Sequence, residues 1–235
     1  GALEEQTTED VKKIYTSTDL RSNLTNIFDA IGKMHTQSYF SEEDKTNQET
    51  HLKRVLDEII GKAGPILDKT VVTLNKGNIK TSGHANITNN SVNVNINKFL
   101  PKSYSQQNGQ EVYAHELIHI LTRFILKNNP EFRRNVKRIR KQVKAQIERT
   151  EKNPYEIFLH RDNDGNIISR RDEASEIEAA KEQYDYVFVR PPADAVLDEF
   201  LAYALTNKFL VNTLKSMPSE SIPLWSKDPT DNVVE

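Results

Sequence analysis

The sequence predicts an α+β domain that is mainly helical, with a small mixed sheet and one central buried helix. Three observations carry this reading. Apolar residues recur at helical spacing in several separate segments. Valine and isoleucine alternate strictly with asparagine over Val92-Asn93-Val94-Asn95-Ile96-Asn97, the period of a half-buried strand. The stretch 109–128 is apolar nearly all round, the pattern of a helix enclosed by its neighbours.

Taken in order, Leu20, Leu24, Ile27, Ile31 and Met34 share a helical face behind the cap candidates Ser17 to Asp19. A second amphipathic helix carries Leu52, Val55, Leu56, Ile59 and Ile60 and ends near Gly64-Pro65. These N-terminal helices occupy 9–65, and the sheet follows over 70–98. Val71-Val72-Thr73-Leu74 reads as a short strand. The strand at 92–97 is expected near an edge, where an extended substrate would pair with its main chain. Asn108, three residues before Glu111, has the spacing of a capping box and opens the helix 109–128. Phe132, Val136, Ile139, Val143 and Ile147 then line one face of a very basic helix. The acidic segment Asp172 to Glu182 is expected to lie against it, after a turn at Asn163-Asp164-Gly165-Asn166. A last helix over 194–206 has its stripe at Leu197, Phe200, Leu201, Ala204 and Leu205. Residues 1–218 make one domain on this reading, and 219–235, with Pro223 and Pro229, a tail or linker in which Trp225 docks on the core.

The chemistry is concentrated in His115-Glu116-Leu117-Ile118-His119. Residues four apart share a helix face, so the two imidazoles can converge on one ion, and zinc takes neutral imidazole nitrogens with one position left for water. Glu116 stands beside His115 as the general base for that water. Inside an apolar helix such groups are costly without a ligand. A third ligand must come from elsewhere, and without cysteine it is nitrogen or oxygen. Glu199 is the best candidate, because Ala202 one turn on lets another helix approach closely; Asp198 competes, about a third of a turn away. Tyr203, one turn beyond Glu199, is a candidate oxyanion donor. Tyr184 and Tyr186 read as packing residues with bonded hydroxyls. His84 and His160 each stand alone and read as structural or exposed.

His115 to His119, followed at a long interval by Glu199 in Glu199-Phe200-Leu201-Ala202-Tyr203-Ala204, resembles the gluzincins, the zincin group whose metal ligands are two histidines and a glutamate. Two blocks are also similar to the metallopeptidase domain within very large polyvalent proteins of phages and mobile elements. One is Ala114 to Thr122 with Lys127-Asn128-Asn129-Pro130-Glu131-Phe132; the other is Glu199 to Asn207 with Phe209. The resemblance spans about residues 50 to 218. It implies a zincin-like fold, Zn2+ as cofactor, and an endopeptidase that hydrolyses peptide bonds through a metal-bound water. It further implies a domain of a larger phage-encoded polypeptide, acting in the host cytoplasm or virion.

Composition narrows the partners. The net charge of −2 over 235 residues gives no global pull toward nucleic acid, and the basic helix is balanced by the acidic segment. No run approaches the roughly eighteen apolar residues of a membrane span, and no signal peptide is visible. Zero cysteines excludes a disulfide scaffold. The Gly1-Ala2 start reads as a cloning scar or an excision, which also fits a domain taken from something longer. The expected partners are a protein or peptide substrate and other domains of the same polypeptide. The rival reading is a non-catalytic virion or assembly protein that keeps the fold for binding.

Overall fold

The computed structural model describes residues 2–16, 19–34, 51–75, 83–99, 109–162, 164–168 and 172–217. The described elements are α1 (Ala2–Tyr15), α2 (Leu20–Met34), α3 (His51–Ala63), β1 (Val71–Asn75), β2 (Gly83–Asn86), β3 (Ser91–Asn95), α4 (Gly109–Asn128), α5 (Pro130–Thr150), α6 (Glu173–Tyr184), α7 (Asp194–Thr206) and α8 (Lys208–Ser216). The architecture is therefore α+β, mostly helical with a small mixed sheet. The capping role of Asn108 and the tail with Trp225 lie outside the described residues.

Side-chain caps set several helix starts. Asp19 Oδ1 accepts from the Ser22 amide at 3.2 Å before α2. Asn129 accepts from the Phe132 amide at 3.0 Å, and Pro130, whose missing N–H would be unpaired there anyway, opens α5. Asn207 ends α7, its amide donating to Tyr203 O at 2.7 Å. Its side chain starts α8 by accepting from the Phe209 and Leu210 amides at 3.0 and 3.1 Å.

The sheet order is β1-β3-β2, with β3 parallel to β1 and antiparallel to β2. The strand expected near an edge is thus the central one, and it ends at Asn95, since Ile96 begins a 3-10 turn. Alternation reports which face is buried and says nothing about neighbours. Val92 and Val94 are buried, and the polar face is held by a cross-strand bond in which Asn75 Nδ2 donates to Asn93 Oδ1 at 3.0 Å. Among the described strands the edges are β1 and β2, and β2 was not expected at all.

α4 is the hub. It packs against α2, α3, α5, α7 and strands β2 and β3, and Leu117, Ile118, Ile120, Leu121, Ile125 and Leu126 are buried. The expected all-round burial fails at Phe124, which is 49 % exposed. The stripe of α5 is buried as read, from Phe132 to Ile147. The acidic helix α6, however, packs chiefly on the 3-10 turn Pro154–Phe158 and not along α5. Part of the positive charge of α5 is structural instead: Arg133 Nε donates to Asp194 Oδ1 at 2.8 Å and Lys144 pairs with Glu148.

Arg140 shows how that charge is used. The π-turn Asp185–Val189 after α6 runs into Pro191 and Pro192, which have no N–H to offer the carbonyls behind them. Arg140, 7 % exposed, serves two carbonyls here: its Nε donates at 2.7 Å to Val187 O, four residues before Pro191, and its Nη2 to Arg190 O at 2.8 Å. Arg140→Met keeps the apolar stem and orphans those carbonyls. At roughly 1–3 kcal/mol for each buried group left unpaired, it is expected to lower Tm by about 5–20 °C. Thermal unfolding by circular dichroism checks this, and an unchanged Tm would show that water serves these carbonyls equally well.

Candidate metal centre

Helices α4 and α7 pack against each other, with Ala114 and Ala202 both 0 % exposed, and so bring three polar side chains together inside an apolar setting. His115 Nε2 lies 3.2 Å from Glu199 Oε1, and His119 Nε2 lies 3.5 Å from Glu199 Oε2. Among the described residues these three form the group able to hold a metal ion, their ligand atoms all within 4.8 Å of one another.

The opposite ring nitrogens decide how the imidazoles are protonated. The Thr206 hydroxyl donates to Ala202 O at 2.6 Å, so its oxygen accepts from His115 Nδ1 at 3.4 Å. His119 Nδ1 donates to Asp198 Oδ2 at 2.7 Å, and Asp198 Oδ1 accepts from the Thr122 hydroxyl. Both Nδ1 atoms therefore carry hydrogen, which leaves each Nε2 lone pair facing a carboxylate oxygen. Two lone pairs against an anion are unfavourable unless a cation sits between them. The donor set thus fits a metal ion. Without one, a proton takes that place: burial alone would depress His119, but the hydrogen bond and charge of Asp198 and the charges of Glu199 and Glu116 lift it to about 9. Burial would likewise raise Glu199, yet the hydrogen bond from His115 and the two imidazole charges bring it below its ordinary value.

Glu116 points into the same cleft, which encloses about 460 Å³. Burial pushes its carboxyl up from the ordinary range, and Glu199's charge adds to this against the three nearby imidazoles. β2 fixes its stem. A Cβ on Gly83 would lie 2.8 Å from Val112 Cγ1 and 3.0 Å from Glu116 Cγ, so only glycine lets the strand come this close. Tyr203 lines the cleft with its ring edge-on to His115 and Phe158, at centroid distances of 4.7 and 5.1 Å. Burial, reinforced by the charges of Glu199 and Glu116, raises its hydroxyl well above the ordinary value and keeps it protonated.

Some readings change. Asp198 orients His119 and does not join the cluster, because its carboxylate is occupied by Nδ1 and Thr122. His84 is exposed as expected but sits on the cleft wall; Tyr186 packs against the core as read and lines the cleft as well. Tyr184 does pack, its hydroxyl donating to Glu148 Oε1 at 3.5 Å. His160 lies in a smaller cavity behind Tyr203 with Glu176. Thr122, Thr206, Arg123 and Gly83 carried no spacing that could reveal them, apart from Thr122 and Arg123 lying one turn beyond His119.

If a metal is held here, Asp198→Ala is expected to weaken it about 10- to 100-fold while all three ligand side chains remain, the usual cost of losing the partner that orients a ligating imidazole. Competition against a chromophoric chelator measures this; equal affinity would show that His119 needs no such partner.

A buried His-Glu-x-x-His helix, a carboxylate facing both imidazoles from the next helix, and a small mixed sheet against the glutamate together define a zincin-like, metallopeptidase-related domain. The chain belongs to the SprT-like family, which matches residues 34–153. That stretch covers α4 and ends before α7, so the place of Glu199 rests on the structure. The chain matches no curated protein and no solved structure. No described helix is long and apolar enough to cross a membrane.

Proposed function

We propose that this chain is a zinc-dependent peptidase, with His115, His119 and Glu199 as metal ligands and Glu116 as general base. The observation that carries the reading is the pair of Nε2–carboxylate separations, 3.2 and 3.5 Å. Tetrahedral zinc with bonds of about 2.0–2.1 Å has ligand–ligand edges of about 3.3–3.4 Å, and one tetrahedral corner remains for water or substrate. Zinc, when bound, polarises a carbonyl and acidifies water.

The remaining work falls to the chain itself. Glu116, half-buried and lining the cleft, takes a proton from water and passes it to the departing amine. Tyr203, which lines the cleft and keeps its hydroxyl protonated, donates to the oxyanion that develops on the substrate carbonyl. β2, an edge among the described strands and part of the cleft wall, offers main-chain groups to an extended peptide, the role first expected of 92–97. The likeness of the two sequence blocks to phage polyvalent proteins supports a substrate among polypeptides made with this one, neighbouring domains included.

The test is elemental analysis of chelator-free protein alongside cleavage of a quenched-peptide library. About one zinc per chain is expected, with cleavage that stops on chelation and returns with zinc. A fully loaded protein that cleaves nothing in the library and leaves its own chain intact would turn the reading to a binding domain.

A further inference from the structure

Arg123 follows His119 by one helical turn and lines the same cleft. It is the single arginine or lysine among the described lining residues, beside Glu116, Glu199 and Asp198. Among the described residues its one ion pair is long: Nη1 lies 3.8 Å from Asp198 Oδ2, an oxygen already taken by His119 at 2.7 Å. The guanidinium is therefore a fork of five N–H groups with no hydrogen bond among the described residues, one-third exposed and turned to the cleft. Planar forks of this kind match carboxylates two bonds at a time.

We propose that Arg123 is a specificity-determining residue whose guanidinium takes a substrate carboxylate close to the scissile bond. The inference rests on the peptidase reading of this cleft. Four residues of helix rise about 6 Å from His119, and an extended peptide advances about 3.3 Å per residue. The carboxylate therefore sits about two residues from the bond that is cut. An Asp or Glu side chain can supply it, and so can a C-terminal carboxylate; the second would make the enzyme trim chain ends.

The experiment reads binding, by fluorescence anisotropy, to the zinc-loaded Glu116→Gln protein. The probes are labelled hexapeptides in which Glu or Gln is walked through the central positions with an amidated C-terminus, and a Gln series with a free C-terminal acid. Glu at one position is expected to bind about tenfold or more tighter than Gln, a charge-assisted bidentate pair's worth, and the ratio to fall to about one when Arg123→Gln is added. If the free acid alone gives the preference, the terminus is the source. A preference that survives the loss of Arg123, no preference at all, or no binding by any peptide overturns the proposal. Arg123 is partly exposed, so the variant is expected to fold, and its Tm and zinc content are measured beside it. A role limited to steadying Asp198 would lower zinc affinity and leave the Glu-to-Gln ratio alone. Wild-type cleavage of neutral peptides is scored separately: cleavage without an Arg123-dependent ratio overturns this inference only, and the ratio without cleavage overturns only the peptidase reading.

Discussion

Glu116→Gln is expected to lower kcat by about 10²- to 10⁴-fold, the range for loss of a general base, with zinc content unchanged. The substitution is close to isosteric, so the stem still packs under Gly83, where a glycine was needed to make room for it. What is lost is the capacity to take a proton. Burial makes the Glu116 carboxyl a stronger base than an exposed one, and it lies beside the two imidazoles without belonging to the metal-holding group. KM should change little, because the side chain acts on water and not on the peptide. Metal content and steady-state kinetics on the same preparation check both halves. Full activity in the variant would remove Glu116 from the mechanism; lost activity with lost zinc would make it a ligand or a structural residue.

The His-Glu-x-x-His helix was legible because its code is local. The spacing of His115 and His119 fixes a shared face whatever surrounds the helix, and the apolar residues around them already state that the face is buried. Glu199 was legible for a related reason: a carboxylate on an apolar helix, one turn from Ala202, has few places to go except an enclosed partner. What the sequence could not show is what depends on a second element's position. Asp198 and Glu199 are adjacent in the chain, and only the rotation of α7 against α4 makes one the orienting partner of His119 and the other the residue that faces both Nε2 atoms. The same holds for β3, whose alternation stated a buried face but not that β1 and β2 flank it, and for β2, where Gly-His-Ala-Asn has no strand-like composition. Arg140 read as one more charge on a basic helix. Its partners are two carbonyls some fifty residues on, one of them left without a helical donor by Pro191, a pairing that no local pattern encodes.

Glu199→Ala is expected to weaken zinc binding at least 100-fold, beyond the cost of losing an orienting partner, since it removes the anion toward which both lone pairs point. The consequence reaches stability as well as activity. A ligand that binds only the folded state stabilises it by about 2.7 kcal/mol at a hundred times its Kd, so wild type should melt several degrees higher with zinc than with chelator. In Glu199→Ala that difference should vanish at the same zinc concentration, while the chelated forms of the two proteins melt close together: Glu199 is only half-buried, and among the described residues its partners are His115 and His119 of the same cluster. Scanning calorimetry with and without zinc separates the cases. A zinc-dependent shift retained in full would mean that the two histidines hold the ion with some other group. A chelated variant that is already unfolded would mean that Glu199 supports the α4–α7 contact directly. The expected pattern, equal without metal and unequal with it, is the one that assigns Glu199 to the ion.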